Sequence, residues 1–235
     1  MADQGMPERQ QGWASPWANP WASPAVALSP LYDQALNFAR VLHAQQRRKS
    51  SGAPYLSHLL EVSGLVLEFG GDEQQAIAAL LHDAVEDQAE AFGGAALLCD
   101  IIGNKFGPTV LRLVQLCSDC EGKPKPAWVW RKQRHLARLE QASAYDCLVP
   151  ACDKLHNLRC LNSELRRGDA PFRRLQAGPE EQLRHLSDMV ALFEDKGLPL
   201  ADDLRYELGQ LRRLTAERHF TLPLPGADYA VYAMP

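Results

Sequence analysis

The chain has no run of eighteen apolar residues, so no segment reads as a membrane-spanning helix. It also lacks a basic segment leading into an apolar one; its first residues carry Asp3 and Glu8, which argues against a secretory leader. Neither sign of charge dominates: 25 Lys and Arg stand against 29 Asp and Glu, a net charge of −4. That balance gives no global pull toward nucleic acid, and any polyanion must be held by local charge. Sustained strand alternation is missing throughout. Cys117 and Cys120 have metal or redox spacing, but no second close pair or histidine pair completes a zinc site around them. Two thiols at a helix end are the plainer reading. The other cysteines, Cys99, Cys147, Cys152 and Cys160, sit mostly in apolar, helix-like stretches, the usual setting of reduced thiols in a cytoplasmic protein.

With 235 residues, 46% of them hydrophobic, the chain can bury a substantial core. The pattern predicts one domain over residues 30–216, an extended or disordered arm over 1–29 and a tail over 217–235. The arm holds a tandem repeat, Trp13-Ala-Ser-Pro, Trp17-Ala-Asn-Pro and Trp21-Ala-Ser-Pro. Each proline blocks helix continuation, which suits a polyproline-like segment. Its tryptophans either dock on a protein partner or a neighbouring subunit, or form a leader with no role.

Helical spacing begins at Leu31 and continues to the basic cluster Arg47-Arg48-Lys49, with Ser29 as cap and Pro30 in the first turn. Ser57 is placed to cap a second helix, which Gly70-Gly71 ends, and Asp72 to cap a third. That third helix is expected to run unbroken through Asp87. Further helices are predicted over residues 95–106, 110–117, 128–139, 148–165, 180–193 and 202–214. Pro150 is awkward inside a helix, so the one carrying Asp153 is expected to start near it. The class is all-α, a compact set of short helices around one core.

Four ionisable groups end a stretch that is apolar on every face, Ala76-Ile-Ala-Ala-Leu-Leu-His82-Asp83-Ala-Val-Glu86-Asp87. Burying each alone would be costly, and a divalent cation removes that cost, since carboxylates and neutral imidazoles are its natural ligands. Residues four apart share a helix face, so His82 pairs with Glu86, Asp83 with Asp87, and Asp153 with Asn157. His58, His82, Asp83 and Asp153 are the candidate metal ligands. Such a cation acidifies water and polarises a phosphoryl oxygen, while Glu86 and Asp87 orient that water or move protons. The ligand types suit manganese, iron, magnesium or zinc alike. Read singly, His58 could be a core histidine and Asp153 an ion-pair partner of Lys154 or Arg159; their gathering in one pattern favours the metal.

Several motifs in order carry a family resemblance over roughly Leu31 to Phe193: Ala39-Arg-Val-Leu-His-Ala-Gln-Gln-Arg-Arg-Lys49, Gly52-Ala-Pro-Tyr-Leu-Ser-His58, Ala79-Leu-Leu-His-Asp-Ala-Val-Glu-Asp87, Phe106-Gly107, Trp128-x-x-Arg-Lys132 and Cys152-Asp-Lys-Leu-His-Asn-Leu-Arg159. With these the chain resembles the HD-domain phosphohydrolases, and more narrowly the small alarmone hydrolases of the RelA/SpoT homologue family. The resemblance implies an all-helical HD fold with one divalent metal, typically manganese. It implies removal of the 3′-pyrophosphate of (p)ppGpp, leaving GDP or GTP. It assigns His58, His82, Asp83 and Asp153 to the metal and Glu86 and Asp87 to catalysis. Arg48 and Lys49 would hold the region of the base, and Lys154 and Asn157 would face sugar and phosphates. A substrate with several phosphates needs cations besides the metal, and Arg48, Lys49, Arg131, Lys132, Arg134 and Lys154 are candidates. The chain departs from the family pattern at Leu59, Gln88 and Cys152, where proline, threonine and alanine are usual. Bifunctional relatives carry a synthetase domain downstream; none is expected here.

Two other functions stay open. The same machinery could act on another nucleotide, such as (p)ppApp or NADPH. Or the fold could serve as a non-catalytic binding protein, with the tryptophan arm as its working part. A relic of that kind would be expected to lose acids, and none is lost.

Overall fold

Prolines, glycines and capping side chains punctuate this chain into helices. The structure, a computed structural model, describes residues 26–49, 51–119 and 125–219. In chain order its helices are α1 (Pro30–Leu42), α2 (Leu56–Glu68), α3 (Glu73–Leu81), α4 (Ala84–Gln88), α5 (Ala95–Phe106), α6 (Pro108–Cys117), α7 (Trp128–Gln141), α8 (Ala144–Arg167), α9 (Pro179–Asp195) and α10 (Ala201–His219). Among the described residues there is no strand, only an isolated bridge between Arg47 and Pro54. The all-α expectation therefore holds. No helix among those residues is long and apolar enough to cross a membrane. The three repeat tryptophans, Cys120 and most of the expected arm and tail lie outside the described residues.

Several boundaries follow from local chemistry. Ser29 accepts a hydrogen bond from Leu31 N, and Pro30 fills the first turn of α1. Asp72 and Gln75 cap α3 reciprocally, each side chain bonding the other's backbone N–H. Gly70 leaves α2 with φ of 82°. A Cβ on Gly71 would sit 2.5 Å from Val66 Cγ1 and 2.8 Å from Val66 O, so no larger residue fits that turn.

Four expectations need correction. First, α1 stops at Leu42, where the apolar spacing lapses. The segment after it folds back on itself, with Arg48 N donating to Ala53 O and Tyr55 N to Gln46 O. Second, Ser57 does not cap α2. The helix starts at Leu56, and the Ser57 hydroxyl donates to Pro54 O. Third, α3 and α4 are not one helix: Asp83, at φ −96° and ψ 0°, separates them. Fourth, α8 runs straight through Pro150, which is buried well inside it. An interior proline costs about 3 kcal/mol. Ser143 caps the helix upstream, and packing against α2, α3 and α10 offsets the loss.

Helix α3 is the centre of the core. Ala76 through Leu81 are fully buried, against α1, α2, α6 and α8. Burying Ile77, Leu80 and Leu81 contributes about 1.5–3 kcal/mol each. Its N-terminus is also clamped to that of α8. Gln75 Nε2 donates to Tyr145 O at 2.7 Å, and Tyr145 OH donates to Asp72 Oδ2 at 2.9 Å.

The C-terminal carbonyls of α6 lack partners within their own helix. Helix α7 supplies them: His135 Nε2–H donates to Leu116 O at 2.9 Å, and Arg138 donates to Gln115 O and Ser118 O. His135 is 2% exposed, and burial, with Lys154, Lys132 and Arg138 nearby, lowers its pKa from 6.5 to about 3. Between those values the unfolded chain takes up a proton that the folded chain refuses. The contribution to stability is thus intact above pH 6.5 and falls as pH drops toward about 3, by at most about 1.4 kcal/mol per pH unit. His135→Gln, whose amide can keep the bond to Leu116, is expected to flatten the fall in Tm between about pH 7 and about pH 5. An unchanged slope in thermal melts would reject this account.

Candidate metal centre

Three parts of the fold converge on one point: α2 with His58, the α3–α4 junction with His82 and Asp83, and α8 with Asp153. His58, His82 and Asp83 each offer a ligand atom, all within 4.8 Å of one another. Asp153 Oδ1 lies 3.3 Å from His58 Nε2 and 3.7 Å from His82 Nε2. Asp83 Oδ2 lies 3.5 Å and 2.9 Å from the same two nitrogens. All four expected ligands are therefore brought together.

The groups around them hold each donor in place. His82 Nδ1–H donates to Ala79 O at 2.7 Å, which turns Nε2 toward the acids. Tyr55 OH donates to Asp83 Oδ2 at 2.6 Å. Lys154 Nζ and Asn157 Nδ2 bond the two oxygens of Asp153, at 2.5 Å and 2.6 Å. His58 Nδ1 meets His156 Nδ1 at 2.8 Å.

Charge and donor chemistry both fit a cation. Burial opposes ionisation of Asp83, yet His82 and His58 hold its carboxyl well below the usual range. Burial likewise opposes Asp153, and Lys154 with the two histidines overcomes it. Burial should lower His82, but Asp83 and Asp153 raise it well above the ordinary imidazole value. The pocket thus favours positive charge where the four donors meet. His82 Nε2 is buried and, despite its closeness to Asp83, makes no well-directed hydrogen bond among the described residues. An orphaned nitrogen facing two ionised carboxylates suits a divalent ion.

A cavity of about 390 Å³ opens beside this cluster. Asp83, Glu86 and Asp87 line it, as do Arg48, Lys49, Lys132, Lys154 and Asn157. The two expected catalytic acids diverge. Glu86 accepts from Lys125 Nζ at 2.8 Å and from Asp119 N at 3.3 Å. Asp87 accepts from Gln46 Nε2 at 2.7 Å, and burial, then Asp83, raises its pKa to about 6. Arg48 donates to Asn157 Oδ1 at 3.3 Å and lies over the Tyr55 ring. Two expected cations do not line the cavity. Arg131 is buried against Asp119 and Gln176, and Arg134 is exposed over Trp130.

Sequence reasoning gave no role to Tyr55, His156, Gln46 or Lys125. Tyr55 and His156 sit within the motifs that carry the resemblance, so their chemistry was in view. Nothing in the spacing indicates that Gln46 or Lys125 would reach the acids.

Comparison with known proteins agrees with this architecture. The family described as HD domain matches residues 35–174. A mouse protein named guanosine-3′,5′-bis(diphosphate) 3′-pyrophosphohydrolase MESH1 is 32% identical over 182 residues, covering 71% of this chain and 95% of its own length. A Synechocystis protein named probable guanosine-3′,5′-bis(diphosphate) 3′-pyrophosphohydrolase is 35% identical over 133 residues, 55% of this chain but 16% of that longer protein. A solved structure described as a metazoan ortholog of SpoT that hydrolyzes ppGpp superimposes with a TM-score of 0.62 at 26% identity, over 81% of this chain and 98% of that one. The HD-domain family is the one to which this chain belongs.

Proposed function

We propose that this chain is a metal-dependent pyrophosphohydrolase that removes the 3′-pyrophosphate of (p)ppGpp, giving GDP or GTP. The observation that carries the proposal is a cluster beside a cavity: two imidazoles and two aspartates meet, Asp83 among them reaches the cavity with the further acids Glu86 and Asp87, and basic side chains line its walls. The names of the relatives point to the same reaction. Residues 30–216 form the proposed hydrolase domain. His58, His82, Asp83 and Asp153 are the proposed ligands of one divalent ion. Manganese is our assignment from the family resemblance, and the nitrogen and oxygen donors without thiolate are compatible with it. When bound, that ion supplies Lewis acidity for a phosphoryl group and for water.

The chain's own groups do the rest. Arg48, Lys49, Lys132 and Lys154 neutralise the phosphates, and Asn157 fixes the orientation of Arg48 and Asp153. Asp87, with its pKa raised to about 6, is suited to take the proton of the attacking water. Glu86, held by Lys125 and Asp119 N–H, orients that water. Water attacks the phosphorus attached to the ribose 3′ oxygen, the bond between them breaks, the 3′ oxygen takes up a proton to become a hydroxyl, and pyrophosphate leaves. Arg48 and Tyr55 offer a flat, cationic wall for a purine. Such a wall accepts guanine and adenine alike, which keeps (p)ppApp and NADPH as rival substrates. The thiols of Cys117, Cys147, Cys152 and Cys160 are free, which supports a cytoplasmic setting.

Two measurements check the proposal. Adding Mn2+ at about 100 times its Kd is expected to stabilise the fold by about 2.7 kcal/mol. His82→Ala should abolish that shift in thermal melts; an equal shift in the variant would remove His82 from the site. Pyrophosphate release from ppGpp, set beside ppApp and NADPH at one metal concentration, is expected to be fastest for ppGpp. Glu86→Ala/Asp87→Ala should slow it by about 100-fold or more. Equal turnover by the double variant would reject both roles.

A further inference from the structure

Among the described residues, a backbone carbonyl orients His82 but not His58, the other metal-facing histidine. His58 has a different neighbour: its Nδ1 meets Nδ1 of His156 at 2.8 Å, with the ring centroids 4.8 Å apart. A hydrogen bond between two imidazole nitrogens needs a hydrogen on one and a lone pair on the other. If His58 is to present the lone pair of Nε2 to a cation, its hydrogen must sit on Nδ1. His156 Nδ1 must then be the acceptor, which puts the hydrogen of His156 on Nε2. One helical turn further along α8, Cys160 Sγ lies 3.6 Å from that nitrogen and 3.9 Å from Nδ1. The two ring hydrogens then point the same way, from His58 to His156 and from His156 toward Cys160.

We infer that His156 is a positioning residue that fixes His58 as the Nδ1–H tautomer and so turns Nε2 toward the metal. Imidazole ligands are commonly held by a hydrogen bond to their other nitrogen, from a carboxylate, carbonyl or water. Here the partner is a second imidazole, itself anchored by a thiol that lines the substrate cavity. His156 belongs to the same helix as Asp153, so α8 supplies one proposed ligand directly and sets the orientation of another.

The inference rests on the metal reading but is tested separately from it. Mn2+ binding is measured by titration calorimetry on the full chain, for wild type, His156→Leu and His156→Asn. Leucine removes the acceptor and is expected to weaken binding by about 10- to 100-fold. Asparagine can place its oxygen near the lost Nδ1 and should recover most of that loss. Nitrogen-15 NMR of labelled histidines reads the tautomer directly, with His58→Ala identifying the signal. His58 is expected as Nδ1–H in wild type and in the asparagine variant, and as a mixture or Nε2–H in the leucine variant. Unaltered Mn2+ affinity in a folded His156→Leu protein would overturn the inference. So would an Nε2–H tautomer of His58 in wild type, a readout that needs no variant to fold. A wild-type protein that binds no divalent ion would sink the metal reading instead.

Discussion

The need to compensate buried negative charge governs this structure. Asp83 and Asp153 stand beside the end of a helix whose stretch Ala76 to Leu81 is apolar and fully buried, where an uncompensated carboxylate is very costly. Protein groups meet part of that demand. Lys154 and Asn157 bond Asp153, Tyr55 bonds Asp83, and the imidazoles of His58 and His82 close the ring. The arrangement also explains why the site is built from three separate elements. No single helix can place two imidazoles and two carboxylates around one point, because its side chains fan outward.

The break between α3 and α4 serves the same end. A continuous helix would send His82 and Asp83 off about 100° apart. With Asp83 in a bridging conformation, its carboxylate turns back to within 2.9 Å of the His82 ring. The two acids that follow then reach different neighbours, Glu86 toward the α6–α7 connection and Asp87 toward the segment after α1. That segment matters for the opposite sign of charge. Because α1 stops early and the chain doubles back, Arg48 is carried over Tyr55 and beside Asn157 instead of pointing along a helix into solvent.

Much of this was legible in the sequence. The candidate metal donors, which the fold brings together, could be picked out because each sits in a short pattern whose chemistry is plain. The capping of α3 by Asp72 and the double glycine before it were equally readable, being local devices. What escaped was decided by tertiary contact. Nothing in Leu81-His82-Asp83-Ala84 interrupts helical propensity, so the break there was invisible. Pro150 read as a boundary, but packing on three neighbouring helices outweighs its local penalty. Arg131, Lys132 and Arg134 look alike in the chain. Arg131 and Lys132 both reach Asp119, and only the rotational phase of α7 tells that Lys132 also borders the cavity while Arg131 is buried and Arg134 lies over Trp130.

The clamp between Asp72, Gln75 and Tyr145 has a consequence at long range. Counted along the helices, His82 lies roughly 15 Å from Asp72, and Asp153 roughly 12 Å from Tyr145. Together with the packing along both helices, the clamp holds their N-termini in register. A partly exposed tyrosine on the surface thereby helps to keep aligned an imidazole and a carboxylate that it never touches.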